Sequence, residues 1–448
     1  MNEGLFGNGE LSVDISAVKT PTIKTPTIKT PEIKTPEIKT PEIKTPEIKT
    51  PKFGLHQLVV LGNGFDLECG LPTRFCHFFE PRIEALKTQD WKTTGKLDGL
   101  GYEATPTVWD FLLRTKTYAP WYSVEDAVSD LVLSAGDGKH GATGIASKLI
   151  ARISDLEPIP DREVGSSDDG ATTSPDEEDL LDSAIEFIAI DCADKLRQSD
   201  SPWSPQELVD YLGEQLSKLE DNFSGYMTSI CEGNDDYIER SAKLLRWMIA
   251  DTWPTEGKLA LNTTVLSFNY TNPFKQPVGR RSAVRIINVH GSLDSGIIFG
   301  IDSTKCTGNP LAFPFSKTYR VMTAGTDFGE GAVHTAGGSL LSLETGVVKF
   351  YGHSLGEADY AYFQAIFDSV SLYDSDVKLV FYYKPHVKPG EDSVTSLSDQ
   401  RAKNTMATRV AKLLAEYGNT LDNENHGRNL MHKLMIEGRL EVRLLKDE

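Results

Sequence analysis

The sequence predicts an α/β protein, built on a mostly parallel sheet with a large helical insertion and preceded by a disordered N-terminal repeat. Three observations point there. Short apolar runs of the kind buried in a parallel sheet occur at residues 55–61 and return after about residue 258. Helical periodicity fills most of the stretch from about 75 to 257. The later apolar runs then alternate with helical segments, as strands and crossover helices do.

The elements follow in order. Residues 19–53 read KTPTI-KTPTI-KTPEI-KTPEI-KTPEI-KTPEI-KTPKF, seven units of five. Proline at every fifth position removes backbone donors and turns each preceding Thr away from helix. This predicts an extended, polyproline-like tract that reaches roughly 100 Å at about 3.1 Å per residue. It serves as a spacer or as a docking tract for a protein partner through the repeated Ile, and the sequence leaves both open. The folded domain, 54–448, opens with the strand LHQLVVLGN. Helices follow in TRFCHFFEPRIEALK, Trp121 to Leu133, SAIEFIAIDCADKLRQ, SPQELVDYLGEQLSKLEDNFSGYM and DDYIERSAKLLRWMIADTW. Ser204-Pro205 with Glu207 marks a helix start. Residues 157–180 are Ser/Asp/Gly/Pro-rich and acidic, and read as a disordered loop. Strand signals then come in TTVLSFNY, SAVRIINVHG, SGIIFGI, GVVKFYGHS, VKLVFYY and RLEVRLL, with helices in ADYAYFQAIFDSV and DQRAKNTMATRVAKLLAEYG.

Composition narrows the function. A formal charge of −19 argues against a general nucleic-acid binder, which needs a basic surface, but leaves room for a local phosphate site made of backbone N–H groups. Five scattered cysteines with no C-x-x-C pair suit a reducing compartment and give no metal site. With no secretory signal and no run of 18 apolar residues, a cytoplasmic protein without a membrane span is expected.

In parallel α/β sheets ligands bind outside the carboxyl ends of the strands. Reading those ends gives four clusters: Gly62-Asn63-Gly64-Phe65-Asp66 with Gly70-Leu71-Pro72-Thr73; Asn269-Tyr270-Thr271-Asn272; His290-Gly291-Ser292; and Gly352-His353-Ser354-Leu355-Gly356-Glu357-Ala358-Asp359. Glycine lets backbone approach a phosphate closely, and a helix start adds a favourable dipole. The same turn is also a plain strand-to-helix connection with Asp66 as helix cap. A His and an Asn on neighbouring strand ends can accept a proton near neutral pH and fix a hydroxyl or a water.

The strings LVVLGNGFDLECGLPTRFCHFF, WYSVEDAV, LSFNYTNPF, INVHGSL, IIFGID and YGHSLGEADYAYFQAIFD resemble the AbiH family of bacterial abortive-infection proteins, in order from about residue 55 to the final strand. That family is distantly similar to the sirtuin-like (SIR2) group of Rossmann-like NAD-binding folds. The resemblance implies a defence protein that binds and hydrolyses NAD or a related nucleotide when phage infects, with an unknown phage trigger and no metal. It implies that Asn269 positions the nicotinamide ribose or the attacking water and that His290 is the general base. The nucleotide would be held by Gly62, Asn63, Gly64, Phe65, Asp66, Gly70, Leu71, Pro72, Thr73, Tyr270, Gly291, Gly352, His353, Ser354, Glu357 and Asp359. Homo-oligomerisation is compatible with this reading. Asn63, Phe65-Asp66 and Thr271 depart from the sirtuin-like pattern, and the paired C-x-x-C of the deacetylases is absent, which favours simple NAD cleavage over deacetylation. Trp121 and Glu125, one helical turn apart, either face the cleft from the insertion or pack on its surface.

Two other readings compete. Gly352-His353-Ser354-Leu355-Gly356 fits the G-x-S-x-G nucleophile elbow, with Asp376 and His386 downstream in triad order. A non-catalytic nucleotide-sensing module that signals to a protein partner would use the same cleft without turnover.

Overall fold

The computed structural model describes residues 56–114, 124–133, 145–155, 177–196, 204–251, 262–274, 284–306, 309, 311–324, 345–356, 359–385, 395–421 and 424–446. The repeat, the acidic stretch 157–176, Trp121, Glu357 and His386 lie outside the described residues.

The described residues form eight strands: β1 (His56–Leu61), β2 (Asn262–Ser267), β3 (Val284–Asn288), β4 (Gly291–Ser292), β5 (Gly296–Ile297), β6 (Thr345–Tyr351), β7 (Lys378–Tyr383) and β8 (Leu440–Leu444). Six form one sheet in the order β3-β2-β1-β6-β7-β8, every pair parallel. With the small β4–β5 hairpin left out, this is the doubly wound order 3-2-1-4-5-6, whose switch point lies between β1 and β6. The segment SGIIFGI departs from expectation. Only Gly296–Ile297 is extended, and it pairs antiparallel with β4 instead of joining the sheet. Gly296 and Gly291 both take positive φ, which turns the chain back within a few residues.

The continuous apolar runs are explained by a core on each face. Along β1, Val59 and Leu61 enter the cluster that packs against the helices between β1 and β2, while Leu58 and Val60 enter the cluster on the opposite face. All four are at most 1% exposed, and burial of each contributes roughly 1.5–3 kcal/mol. The opposite face is covered by helices Tyr360–Ser369, Ser396–Gly418 and Glu424–Ile436. Between β1 and β2 the regular elements among the described residues are all helices, and the one extended pairing there is an isolated antiparallel bridge between Leu97 and Ala104. The acidic stretch read as a loop to residue 180 gives way earlier, because helix Glu177–Leu196 has begun by residue 177 and buries Ile185, Ile188, Ala189 and Cys192. Ser204 and Glu207 form a reciprocal capping box at helix Pro205–Cys231, as the sequence predicts.

Buried polar groups tie the layers together. His56 bridges Thr345 and Thr264 at 2.9 Å each, across the three central strands. Lys349, in mid-sheet, donates to the carbonyls of Met248 and Ile249, placing a cation at the carboxyl end of helix Asp235–Ala250. Burial lowers its pKa to about 8. In the helical layer Arg82 grips Asp110 through two hydrogen bonds, at 2.8 and 2.6 Å, with both side chains fully buried.

Candidate functional site

The four clusters meet at one edge of the sheet, because β1, β2, β3 and β6 are adjacent and parallel. Their carboxyl ends therefore open on the same side. The glycines first settle how the loops sit. Gly62 N–H donates to Tyr351 O at 3.0 Å and Gly64 N–H to Gly352 O at 2.8 Å, so the loops after β1 and β6 are zipped backbone to backbone. A Cβ on Gly62 would lie 2.5 Å from His353 Cα, and one on Gly64 would lie 2.7 Å from Gly352 Cα. Gly352 has φ +73° and faces Phe65 N in the same way. The close approach that these glycines permit is thus to each other's backbone.

The remainder of the first cluster supports this junction. The helix that follows the turn, Gly64–Glu68, is only five residues long. Asn63 occupies its N-cap position without a side-chain cap; its amide instead exchanges hydrogen bonds with Thr73, joining the two halves of the cluster. Phe65 and Leu71 are 1% exposed members of the core, Gly70 takes φ +92°, and Pro72 O accepts from Tyr226 at 2.7 Å. Asp66 is not a helix cap. It lies inside the helix, where Tyr237 and Thr271 donate to its two oxygens at 2.9 and 2.7 Å, and burial raises its pKa to about 6.

The loop after β2 is pinned from below. Asn288 Nδ2 donates to the carbonyls of Asn269 (2.6 Å) and Thr271 (3.0 Å), and Tyr270 hydroxyl donates to Ile298 O at 3.2 Å. Asn269 is 6% exposed, yet among the described residues its side-chain Oδ1 has no hydrogen-bond partner. Beside it, His290 is 4% exposed. Its Nε2 lies 3.0 Å from Asp359 Oδ1, and its Nδ1 is buried and likewise unpartnered among the described residues.

Asp359 is the hub. It contacts His290, His353 at 3.3 Å through Oδ2, and Lys317 Nζ at 2.9 Å; Glu125 lies 3.6 Å from the same Nζ. His353 Nδ1 accepts from Leu355 N–H at 2.9 Å, so its Nε2 carries the proton that points to Asp359. Burial alone would raise the Asp359 pKa, but Lys317 and the two imidazoles hold it well below the usual carboxylate range. Burial and then Lys317 lower the His290 pKa, against the pull of Asp359. The charge therefore resides on Lys317 and Asp359. His290 is neutral, with Nε2–H donating to Asp359 and a free lone pair on Nδ1. Phe268 packs edge-on against both imidazoles, with centroids 5.5 Å from His290 and 4.6 Å from His353.

The sequence brings out His290, Asn269, His353 and Asp359 and misses Lys317, a buried lysine at the start of helix Lys317–Thr323 with no motif around it. Glu125 reaches this lysine from the helical layer, which places it at the site and not on an outer surface. The serine-triad geometry does not form. Ser354 follows β6 whereas Asp376 precedes β7, so they stand at opposite edges of parallel strands. Ser354 Oγ accepts from Gly356 N–H at 3.3 Å, and the positive φ falls on Gly352 and Leu355, not on the serine as a nucleophile elbow requires.

Sheet order and site together define a doubly wound α/β protein with a polar, histidine-bearing cluster at its switch-point edge. The chain belongs to the AbiH family: the family model described as Bacteriophage abortive infection AbiH matches residues 58–383, from within β1 to the end of β7. Its role is accordingly in bacteriophage abortive infection. Neither a curated protein nor a solved structure matches the chain. Among the described residues, no helix is long and apolar enough to cross a membrane.

Proposed function

We propose that the carboxyl edge of β1, β2, β3 and β6 binds NAD or a related nucleotide and hydrolyses its nicotinamide–ribose bond, halting the infected cell. The observation that carries this is the pair of orphaned buried atoms, His290 Nδ1 and Asn269 Oδ1, on neighbouring strand ends. Buried polar atoms are nearly always satisfied, so two acceptors left open on neighbouring strand ends suit the donors of a ribose and a water. In the reaction, the oxygen of water bonds to the ribose C1′ as the bond to nicotinamide breaks. Nicotinamide leaves with the electron pair, and the water's proton goes to His290 Nδ1. Asp359 holds the other ring nitrogen and stabilises the imidazolium, while Asn269 Oδ1 orients the water or a ribose hydroxyl.

A second reading, a nucleotide sensor without turnover, is favoured by the burial of His290 and Asn269 and by the zipped glycine loops. Purified protein incubated with NAD, with nicotinamide release followed over time, separates the two. Hydrolysis predicts turnover that falls at least ~100-fold in His290→Ala with the fold intact, in line with the usual contribution of a general base. It also predicts a rate that holds as pH falls through the ordinary histidine value of 6.5 and drops only below it, since the base works deprotonated and its pKa is lowered. Binding without turnover, unchanged in His290→Ala and Asn269→Ala, identifies the sensor.

A further inference from the structure

The other half of the sheet's carboxyl edge has no role in the site above, yet four cationic side chains converge there. Beyond the ends of β7 and β8 lies a cleft of about 220 Å³, whose walls include Glu68, Arg240, Lys243, Trp247, Lys384 and Lys446. Arg240, Lys243 and Trp247 fall on one stripe of helix Asp235–Ala250, whereas Lys384 and Lys446 follow β7 and β8. Glu68 pairs with Lys384 at 2.6 Å and Asp236 with Arg240 at 2.8 Å. Two of the four cations, Lys243 and Lys446, therefore form no ion pair among the described residues. In a chain with a formal charge of −19, a cleft with cations from three separate elements stands out against the surface around it.

We propose that this cleft is a second ligand site, for a small phosphate-class polyanion of pyrophosphate type. Convergent cations from separate elements match several charges on one ligand better than a single carboxylate. The volume is below the ~300–1,000 Å³ of sites that enclose drug-sized molecules, and it suits a diphosphate group better than a whole dinucleotide. Trp247, held edge-on against Tyr382, gives the cleft one aromatic wall. The site also touches the first one. Glu68 shares its short helix with Asp66, and Arg240 lies one turn after Tyr237, the donor to Asp66. An anion that takes Lys384 from Glu68 acts on the helix that follows the glycine turn.

Titration calorimetry of the full chain with sodium pyrophosphate, ADP and adenosine tests this. Pyrophosphate is expected to bind saturably at submillimolar concentration, at least ~10-fold more weakly in Lys243→Glu/Lys446→Glu, and more weakly as salt rises. Both lysines are exposed, so the variant is expected to fold. Equal binding of pyrophosphate and ADP identifies the free anion as the ligand, and tighter ADP identifies a nucleotide's diphosphate with Trp247 as its aromatic wall; adenosine alone is expected not to bind here. The reading is independent of NAD hydrolysis, so His290→Ala is expected to keep the pyrophosphate affinity. No saturable binding, an affinity unchanged by the charge reversal, or loss in His290→Ala alone would overturn it.

Discussion

Asp66 shows how far a side chain's role can depart from its place in a motif. Its position in Gly62-Asn63-Gly64-Phe65-Asp66 suggests a helix cap or a ribose contact, but its two oxygens are taken by Tyr237 and Thr271, from elements far away in sequence. Burial raises its pKa from 3.8 to about 6, so the fold prefers the protonated form. The stability this contributes is present below the unfolded pKa and is lost as pH rises through 6. At 1.36 kcal/mol per unit the change is at most about 3 kcal/mol. Urea unfolding of wild type and Asp66→Asn between pH 4 and 7 is expected to show wild type losing stability relative to the variant across that window. A constant difference would place the Asp66 pKa at its ordinary value. Lys317 illustrates the opposite gap: nothing local marks it, yet it neutralises the carboxylate that both imidazoles share. The sequence exposes chemistry at strand ends, where the topology rule applies. It does not expose a lysine delivered from a separate short helix.

Among the elements, the glycine loops are the clearest case of local signal and tertiary cause. G-x-G invites a phosphate, and the packing shows what these glycines already accommodate, the backbone of the facing loop. Gly352→Ala is expected to cost more than ~2 kcal/mol, from the left-handed φ of +73° and from a Cβ placed 2.3 Å from Phe65 N. Gly213, inside helix Pro205–Cys231 with nothing within 4 Å of its would-be Cβ, is the control. There alanine is expected to stabilise by about 0.5–1 kcal/mol. Thermal melts of the two variants check both signs. The same close packing recurs where helices Ser396–Gly418 and Glu424–Ile436 meet through Gly418 and Gly427. The short hairpin read as a strand at SGIIFGI shows the limit of pattern reading. An apolar run buried in a core need not have an edge of the sheet to join.

For the whole molecule, the strand order is what turns four scattered clusters into one site, since 3-2-1-4-5-6 sets β1, β2, β3 and β6 side by side. Both cores are assembled from Leu58 onward. A chain that begins at residue 54 is therefore expected to keep the circular dichroism spectrum and melting temperature of the full protein; a fall of several degrees would assign the repeat tract a part in the fold. The family match ends at residue 383, yet β8 completes the sheet and helix Glu424–Ile436 covers its second face.

By itself the sequence determined the six strands of the main sheet, the helical block between the first two of them, and which residues stand at the carboxyl ends; it misread SGIIFGI as a sheet strand and did not mark helix Glu424–Ile436. Apolar period, capping and turn chemistry are local properties and are legible within a short window. Only the tertiary structure decided that the glycine loops close on each other, that Asp66 is a buried acceptor, and that Lys317 and Glu125 join Asp359. Those contacts depend on sheet order and on segments far apart along the chain, and such pairings leave no trace in any window of one sequence.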